Sequence, residues 1–268
     1  MTTRGFFTLA QNNGSIDYVK MSYALALSLK LTQRETHNLS IGITPGHEVP
    51  DRYRWAFDQI IEIPWSDLSS LLRHKIANEW KAIHMSPYRE TIKLDSDMLF
   101  TRDISSWWEL MSTQDMWICN SVLDQDHNDV QPDMQRKLFS DGNLPDVRTA
   151  LMFFKKTRST YETFRMCEQL FKNWRILGRE CLGKRHAHAG ITTDLVMSLS
   201  LKLTDLTQEW HVRNMVPTFL QCSEPVDLSA GNALQCNGVE LSLPVHHHCD
   251  SLLVDRFIAA HEARLMAD

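Results

Sequence analysis

The sequence predicts an α/β fold in which helices flank a mostly parallel central sheet. Short apolar runs alternate with helical patterns through the first hundred residues, and two of these runs end in polar turns, at residues 11–14 and 95–97. The predicted strands cover residues 5–10, 39–44, 59–65, 91–100, 116–122 and 149–155. One helix is predicted to begin near Ser15, and the others cover residues 68–84, 159–174, 192–203 and 251–266.

The composition is that of a globular chain with a sizeable core. Of the 268 residues, 43% are hydrophobic and 23% are charged, which is ordinary for such a protein. The first residues lack the pattern of a signal peptide, and no apolar run approaches the roughly 20 residues of a membrane-spanning helix. The six cysteines are scattered without a CxxC pair, so we expect free thiols. The expected location is the cytoplasm.

The polar turns are the first candidates for a ligand site. In a parallel sheet, ligands usually bind outside the carboxyl ends of the strands, and residues 11–14 and 95–97 are both predicted to lie there. The chain contains neither GxGxxG nor GxxxxGK[ST]. A dinucleotide fingerprint and a P-loop are therefore both unsupported.

The acidic turn carries the strongest chemical signal. Asp95 and Asp97 flank Ser96 in the segment TIKLDSDMLF, with apolar residues framing the turn on both sides. Two carboxylates at positions i and i+2 at the end of a strand can converge on one hard cation, and Mg²⁺ or Mn²⁺ prefers oxygen ligands. Such a cation could neutralise a pyrophosphate leaving group. The alternative is an exposed acidic turn without a ligand.

Two blocks of the sequence resemble the glycogenin-type glycosyltransferases, family eight of the GT-A fold. FFTLAQNNGSIDYVKMSYALALSLK is similar to the opening strand, nucleotide-contacting turn and first helix of that family. KIANEWKAIHMSPYRETIKLDSDMLFTRDISSWWELM is similar to its Lys-containing helix and its DxD strand. The resemblance implies a nucleotide-sugar donor, a UDP-sugar in the first instance, a divalent metal such as Mn²⁺, and transfer with retention of anomeric configuration.

Matching positions assign expected roles to individual residues. The resemblance places Asp95 and Asp97 on the metal, with Asp97 in the catalytic centre and Asp95 also near the ribose or sugar. Either Arg73 or Lys75 is expected to approach the diphosphate, as cations suited to phosphate, although both could equally form a solvated helix face. The residues expected beside the base and ribose are Thr8, Ala10, Gln11 and Asn12.

The second half of the chain matches the family less closely. Asp194 takes the place of the aspartate in the family's catalytic Asp-Gln pair, and Leu195 stands where the glutamine would be. Asp194 could instead cap a helix or place a negative charge in the first turn of that helix. The third metal ligand of the family is a C-terminal histidine, for which this chain offers His246 or His248. His186 and His188 are a lesser pair. We expect a GT-A-like domain over residues 1–205 and a C-terminal segment, residues 206–268, that completes the metal site and ends in a helix.

The acceptor is suggested only by charge. Residues 155–188 contain nine Lys or Arg and three Glu, although the whole chain has a net charge of −5. A solvated helix face would explain this stretch. It would also suit a polyanionic acceptor, such as the hydroxymethylated DNA of a phage.

Two other classes of function stay open at this stage. A nucleotidyltransferase could use the same acidic turn, but such enzymes usually carry a cationic Gly-rich loop after the first strand, and AQNNGS has no cation. A catalytically idle binding module could retain the fold. Loss of a DxD aspartate would favour that module, and both aspartates are present.

Overall fold

The structure is a computed structural model that describes residues 3–65, 76–130, 136–182, 190–206 and 217–267. Its strands are β1 (Arg4–Ala10), β2 (Leu39–Ile43), β3 (Ile60–Glu62), β4 (Glu90–Leu94), β5 (Met98–Leu99), β6 (Met116–Cys119), β7 (Arg148–Lys155), β8 (Val226–Leu228), β9 (Leu234–Cys236), β10 (Val239–Glu240) and β11 (Val245–His246). Its helices are α1 (Tyr18–Thr32), α2 (Asp51–Arg54), α3 (Ala82–Met85), α4 (Ser105–Met111), α5 (Lys137–Asp141), α6 (Arg158–Leu182), α7 (Thr193–Leu203) and α8 (Ser251–Ala267), with a 3₁₀ helix at Ile76–Lys81.

The central sheet has six strands in the order β3-β2-β1-β4-β7-β6. The first four of these strands are parallel, and β7 runs antiparallel to both of its neighbours. Thr8 of β1 lies opposite Leu94 of β4, so the turns that follow these two strands emerge side by side. The predicted α/β architecture with a mostly parallel sheet is confirmed.

Two buried clusters cover the two faces of the sheet. Successive strand residues point to opposite faces, so Phe6 and Phe153 join one cluster while Phe7 and Phe154 join the other. The first cluster includes buried residues of α1 and α8, and the second includes those of α6 and α7. The apolar runs of the sequence are therefore strands with both faces covered.

Some predicted elements differ in detail from the structure. The run over 91–100, predicted as a strand with an acidic interruption, is two strands, because the acidic turn separates β4 from β5. Of the helix predicted over 68–84, residues 66–75 lie outside the described residues, and the rest is a 3₁₀ helix followed by α3. Helix α6 extends to Leu182, but its helical geometry breaks at Asn173 (φ −122°, ψ 23°), next to the predicted end.

The C-terminal elements pack against the first half of the chain. Strand β11 pairs antiparallel with β5, which places His246 opposite Met98. Helix α8 lies against α1, where the Tyr23 hydroxyl donates to Glu262 over 2.6 Å. The backbone N–H of His247 donates to the carbonyl of Asp97 over 3.0 Å. These contacts bring a histidine-rich segment to the acidic turn.

Among the described residues, no helix combines the length and the apolar character needed to cross a membrane.

Candidate metal centre and adjoining cleft

A cleft of about 360 Å³ opens at the carboxyl ends of β1 and β4. Gln11 contributes from the turn after β1, and Asp95 and Asp97 contribute from the turn after β4. The 3₁₀ helix supplies Glu79, and the turn after β11 supplies Cys249. The cleft therefore lies where a parallel sheet places its ligands.

Three potential metal ligands converge in this cleft. One ligand atom each from Asp95, Asp97 and His246 lies within 4.8 Å of the other two. The Nε2 atom of His246 is 3.1 Å from Asp97 Oδ1 and 3.9 Å from Asp95 Oδ2. Neighbouring ligands of an octahedral ion, each bound at about 2.1 Å, lie about 3 Å apart. Two carboxylate oxygens and one imidazole nitrogen at these separations could hold a divalent metal ion.

The backbone of the acidic turn fixes the directions of both carboxylates. The N–H of Asp95 donates to the carbonyl of Ala150 over 2.9 Å, so the turn stays attached to β7. The N–H of Met98 donates to the carbonyl of Asp95 over 3.3 Å and closes the turn. Asp95 is part-exposed at the cleft, whereas Asp97 is buried beneath it.

When no metal is bound, the electrostatics of the centre favour an ion pair between His246 and Asp97. Burial lowers the pKa of His246, but the charge of Asp97 and its hydrogen bond outweigh burial, so the pKa is raised. Burial conversely raises the pKa of Asp97, and the charge and hydrogen bond of His246 lower it well below its usual range. A divalent ion would replace the proton that these two residues share.

The structure distinguishes between the two predicted histidine ligands. His246 is within the cluster, whereas His248 is exposed and its ring stands perpendicular to that of His246 at 4.5 Å between centroids. His248 lines the cleft without joining the group of ligand atoms. His186 and His188 lie outside the described residues.

A buried lysine borders the metal centre, and the sequence analysis missed it. The Lys93 ammonium lies 2.7 Å from Asp95 Oδ1 and 2.6 Å from Glu79 Oε2. Burial opposes its charge, but the two carboxylates raise its pKa above the ordinary value. The sequence signal for this pair is a lysine within the apolar strand TIKL. A lysine in such a strand is buried, and a buried ammonium needs an anionic partner. Arg73 and Lys75, the cations expected here, lie outside the described residues.

Of the residues predicted to contact the nucleotide, Gln11 lines the cleft together with Asp95. The Gln11 amide donates to Thr44 Oγ1 over 3.2 Å, and its Oε1 accepts from Asn78 Nδ2 over 2.8 Å. Thr8 and Ala10 are buried within β1. Asn12 accepts from the N–H of Val19 over 3.0 Å and thereby supports the start of α1. None of these last three is among the described residues that line the cleft.

Asp194 lies in the first turn of α7, after the N-cap Thr192. One of its carboxylate oxygens accepts from both the N–H and the hydroxyl of Thr149, over 2.8 and 2.7 Å. The other accepts from Arg136 over 2.6 Å. The carboxylate therefore joins α7 to β7, and its charge also contributes to the raised pKa of His246.

The charges of the basic stretch are partly neutralised along α6. Arg158 pairs with Glu162 at 2.8 Å, and Lys172 pairs with Glu168 at 2.5 Å. Lys155 donates to the carbonyl of Ser112. Residues 183–189, with Lys184 and Arg185, lie outside the described residues. The described part of the stretch has the features of a solvated helix face.

No protein-family model matches the chain, and no curated protein matches its sequence. Among solved structures, it is similar to the galactosyltransferase LgtC in complex with donor and acceptor sugar analogs, with a TM-score of 0.54 and 10% sequence identity. That match covers 97% of this chain and 95% of the other. Mouse xyloside xylosyltransferase 1 in its apo form gives a TM-score of 0.48 at 11% identity, covering 94% and 99%. The likeness to LgtC shows the fold: the chain has the α/β architecture of the GT-A glycosyltransferases.

Proposed function

We propose that this chain is a metal-dependent glycosyltransferase of the glycogenin-like family eight, which transfers a sugar from a UDP-sugar with retention of anomeric configuration. One observation carries the proposal: Asp95, Asp97 and His246 converge in a cleft of a GT-A fold. LgtC is a galactosyltransferase and the mouse protein is a xylosyltransferase, so the class of sugar is left open.

The residues at the centre have distinct roles in this proposal. Asp95, Asp97 and His246 hold a divalent ion, Mn²⁺ or Mg²⁺, through two carboxylate oxygens and one imidazole nitrogen. When bound, the ion supplies positive charge to the diphosphate that leaves the sugar. Asp97 is buried, so its carboxylate is held in one direction.

The nucleotide would occupy the cleft beside the turn after β1. The proposal keeps Gln11 as a direct contact, because its amide lines the cleft. The proposed neighbours of the base and ribose remain Thr8, Ala10 and Asn12. They act through the turn after β1, which they support. Arg73 or Lys75 remains the proposed partner of the diphosphate.

Asp194 remains the proposed catalytic group near the anomeric carbon. Its neighbour Thr193 lines the cleft, and the carboxylate is close enough to His246 to affect its pKa. Its contacts with Thr149 and Arg136 would fix the carboxylate rather than leave it mobile. The division into a catalytic domain, 1–205, and a completing segment, 206–268, is supported by the pairing of β11 with β5.

For the acceptor, a polyanion such as modified phage DNA remains a proposal that rests on the basic stretch alone. Retention on DNA that weakens with salt would support it, because binding through phosphates releases counterions. Indifference to DNA at low salt would end it. The ion pairs along α6 reduce the charge available for such binding.

The function is tested by screening nucleotide-sugars in a thermal-shift assay with and without Mn²⁺. A bound donor stabilises the folded state by mass action. At a hundredfold excess over its dissociation constant, it adds about 3 kcal/mol to the free energy of unfolding and so raises the unfolding temperature. We expect one nucleotide-sugar to give a shift that requires Mn²⁺ and disappears with EDTA. A nucleotidyltransferase would respond to nucleoside triphosphates instead, and an idle module would bind a donor without turning it over.

A further inference from the structure

Each aspartate of the centre has one oxygen already engaged by a protein donor. The Oδ1 atom of Asp95 accepts from the Lys93 ammonium over 2.7 Å, and its Oδ2 is the atom that faces His246. The contact is buried, because the Lys93 side chain is only 2% exposed. Asp95 therefore presents one oxygen to the ligand cluster.

Asp97 repeats this arrangement with a different donor. Its Oδ2 atom accepts from the backbone N–H of Cys249 over 3.0 Å and from the Cys249 thiol over 3.3 Å. Its Oδ1 atom lies 3.1 Å from His246 Nε2. The engaged oxygen and the ligand-facing oxygen are again different atoms of one carboxylate.

The backbone at Cys249 is strained in a way that serves this contact. His248 and Cys249 have φ values of +50° and +62°, in the left-handed region that non-glycine residues rarely adopt. Such conformations cost about 1 kcal/mol or more each and persist where the surroundings hold them. Here they direct both donors of Cys249 at the same oxygen of Asp97.

We propose that Lys93 and Cys249 are positioning residues that restrict Asp95 and Asp97 to one metal-binding oxygen each. The inference rests on the proposed function, and it adds a coordination number to it. An ion bound here would have three protein ligands, two carboxylate oxygens and the His246 nitrogen. Since Mg²⁺ and Mn²⁺ take about six ligands, about three positions would stay open for water and, later, for diphosphate oxygens.

The charges of the cluster agree with this arrangement. Asp95, Asp97 and Glu79 are three carboxylates, and the Lys93 ammonium reduces their sum to two negative charges, which one divalent ion balances. Glu79 thereby has a defined role, because it pairs with Lys93 at 2.6 Å. Without it, the buried ammonium would have Asp95 as its sole carboxylate among the described contacts.

The open positions can be counted on the full-length chain with Mn²⁺ alone. Nuclear relaxation of solvent protons reports the number of water molecules that exchange on protein-bound Mn²⁺. We expect about three waters in the wild type. Lys93→Met frees Asp95 Oδ1 to bind the ion as well, so the number should fall to about two.

Variants at Cys249 and a matched lysine control complete the design. Cys249→Ala and Cys249→Ser both keep the backbone N–H that engages Asp97 Oδ2, so both should leave the count at about three. Lys81→Met removes another buried lysine, whose ammonium lies 5.7 Å from the Trp80 ring, and should leave the count unchanged. If Lys93→Met fails to fold because Glu79 loses its partner, Lys93→Met/Glu79→Met removes both charges and gives the same expected count.

The outcomes separate this inference from the proposed function. Wild-type Mn²⁺ with two or fewer waters, or an unchanged count in the foldable Lys93 variant, would overturn the positioning role and leave the transferase proposal intact. Absence of Mn²⁺ binding would overturn both. We expect about three waters in the wild type, a loss in Lys93→Met, and an unchanged count in Lys81→Met and in both Cys249 variants.

Discussion

The imidazole of His246 lies 3.1 Å from the carboxylate of Asp97, and this contact joins the C-terminal segment to the turn after β4. The two residues come together because β11 pairs with β5 and places His246 opposite Met98, the residue after Asp97. The candidate metal centre thus depends on a pairing between strands far apart in the chain.

Replacing Asp97 with Asn should abolish transfer while leaving the fold nearly intact. The amide keeps an oxygen that can accept from Cys249, but it lacks the charge that binds a divalent ion. We expect a loss of at least about 100-fold in kcat/KM, a size typical of lost electrostatic stabilisation. Steady-state kinetics and circular dichroism check the two parts, and undiminished turnover by the variant would refute the site assignment.

His246→Ala and His248→Ala should differ sharply in Mn²⁺ affinity. His246 supplies a ligand atom within the cluster, whereas His248 is exposed beside it. We expect at least about 10-fold weaker binding for His246→Ala and a change below about twofold for His248→Ala. Titration calorimetry without nucleotide measures both. Equal losses would show that the structure assigns the wrong histidine.

The stability of the metal-free chain should fall with acid because of His247. Burial lowers the pKa of His247 from 6.5 to about 4, with His246 adding to this effect and Asp97 and Asp250 opposing it. The unfolded state binds the proton first, so this stability is fully present above pH 6.5 and is lost as the pH falls towards 4. The full loss is about 3 kcal/mol.

The variant that tests this acid sensitivity is His247→Asn. The Asn carbonyl can replace the Nδ1 atom that accepts from the N–H of Asp250, but it has no proton to bind in this range. Urea unfolding in EDTA at pH 7 and pH 5 should show a smaller acid-induced loss for the variant. If both proteins lose the same stability, the burial of His247 is not the cause.

Asp194→Asn should lower stability as well as activity. The carboxylate accepts from Arg136, which is buried and has further contacts with Asp146 and Val147. The variant leaves Arg136 with Asp146 as its carboxylate partner among the described contacts, so we expect the loss of one charged hydrogen bond, about 2 kcal/mol. Urea unfolding measures this cost. A variant that loses activity at wild-type stability would show that the contacts to Arg136 and Thr149 contribute little, and that the role of Asp194 is purely catalytic.

The sequence predicts the sheet and the acidic turn well because both depend on local signals. Apolar runs report strands, and Asp95 and Asp97 stand two residues apart at the end of one. The acidic interruption in the run 91–100 also predicts a break in the strand there, and the structure has β4 end at Leu94 and β5 begin at Met98. Local pattern misses the 3₁₀ geometry at Ile76–Lys81.

The rest of the site depends on contacts between distant segments. The choice of His246 over His248 follows from the register of β11 on β5, which adjacent histidines do not reveal. Glu79 and Lys93 become partners only after the 3₁₀ helix packs beside β4. Cys249 is a lone cysteine in the sequence, and its role at Asp97 needs two residues with positive φ.

The central claim is that Asp95, Asp97 and His246 hold an ion that is needed for sugar transfer. Its most direct test is the release of UDP from a UDP-sugar by the purified chain, followed with Mn²⁺, with EDTA and in Asp97→Asn. We expect turnover that appears with Mn²⁺, stops in EDTA and is absent in the variant. Turnover that continues in EDTA, or in Asp97→Asn, would contradict it.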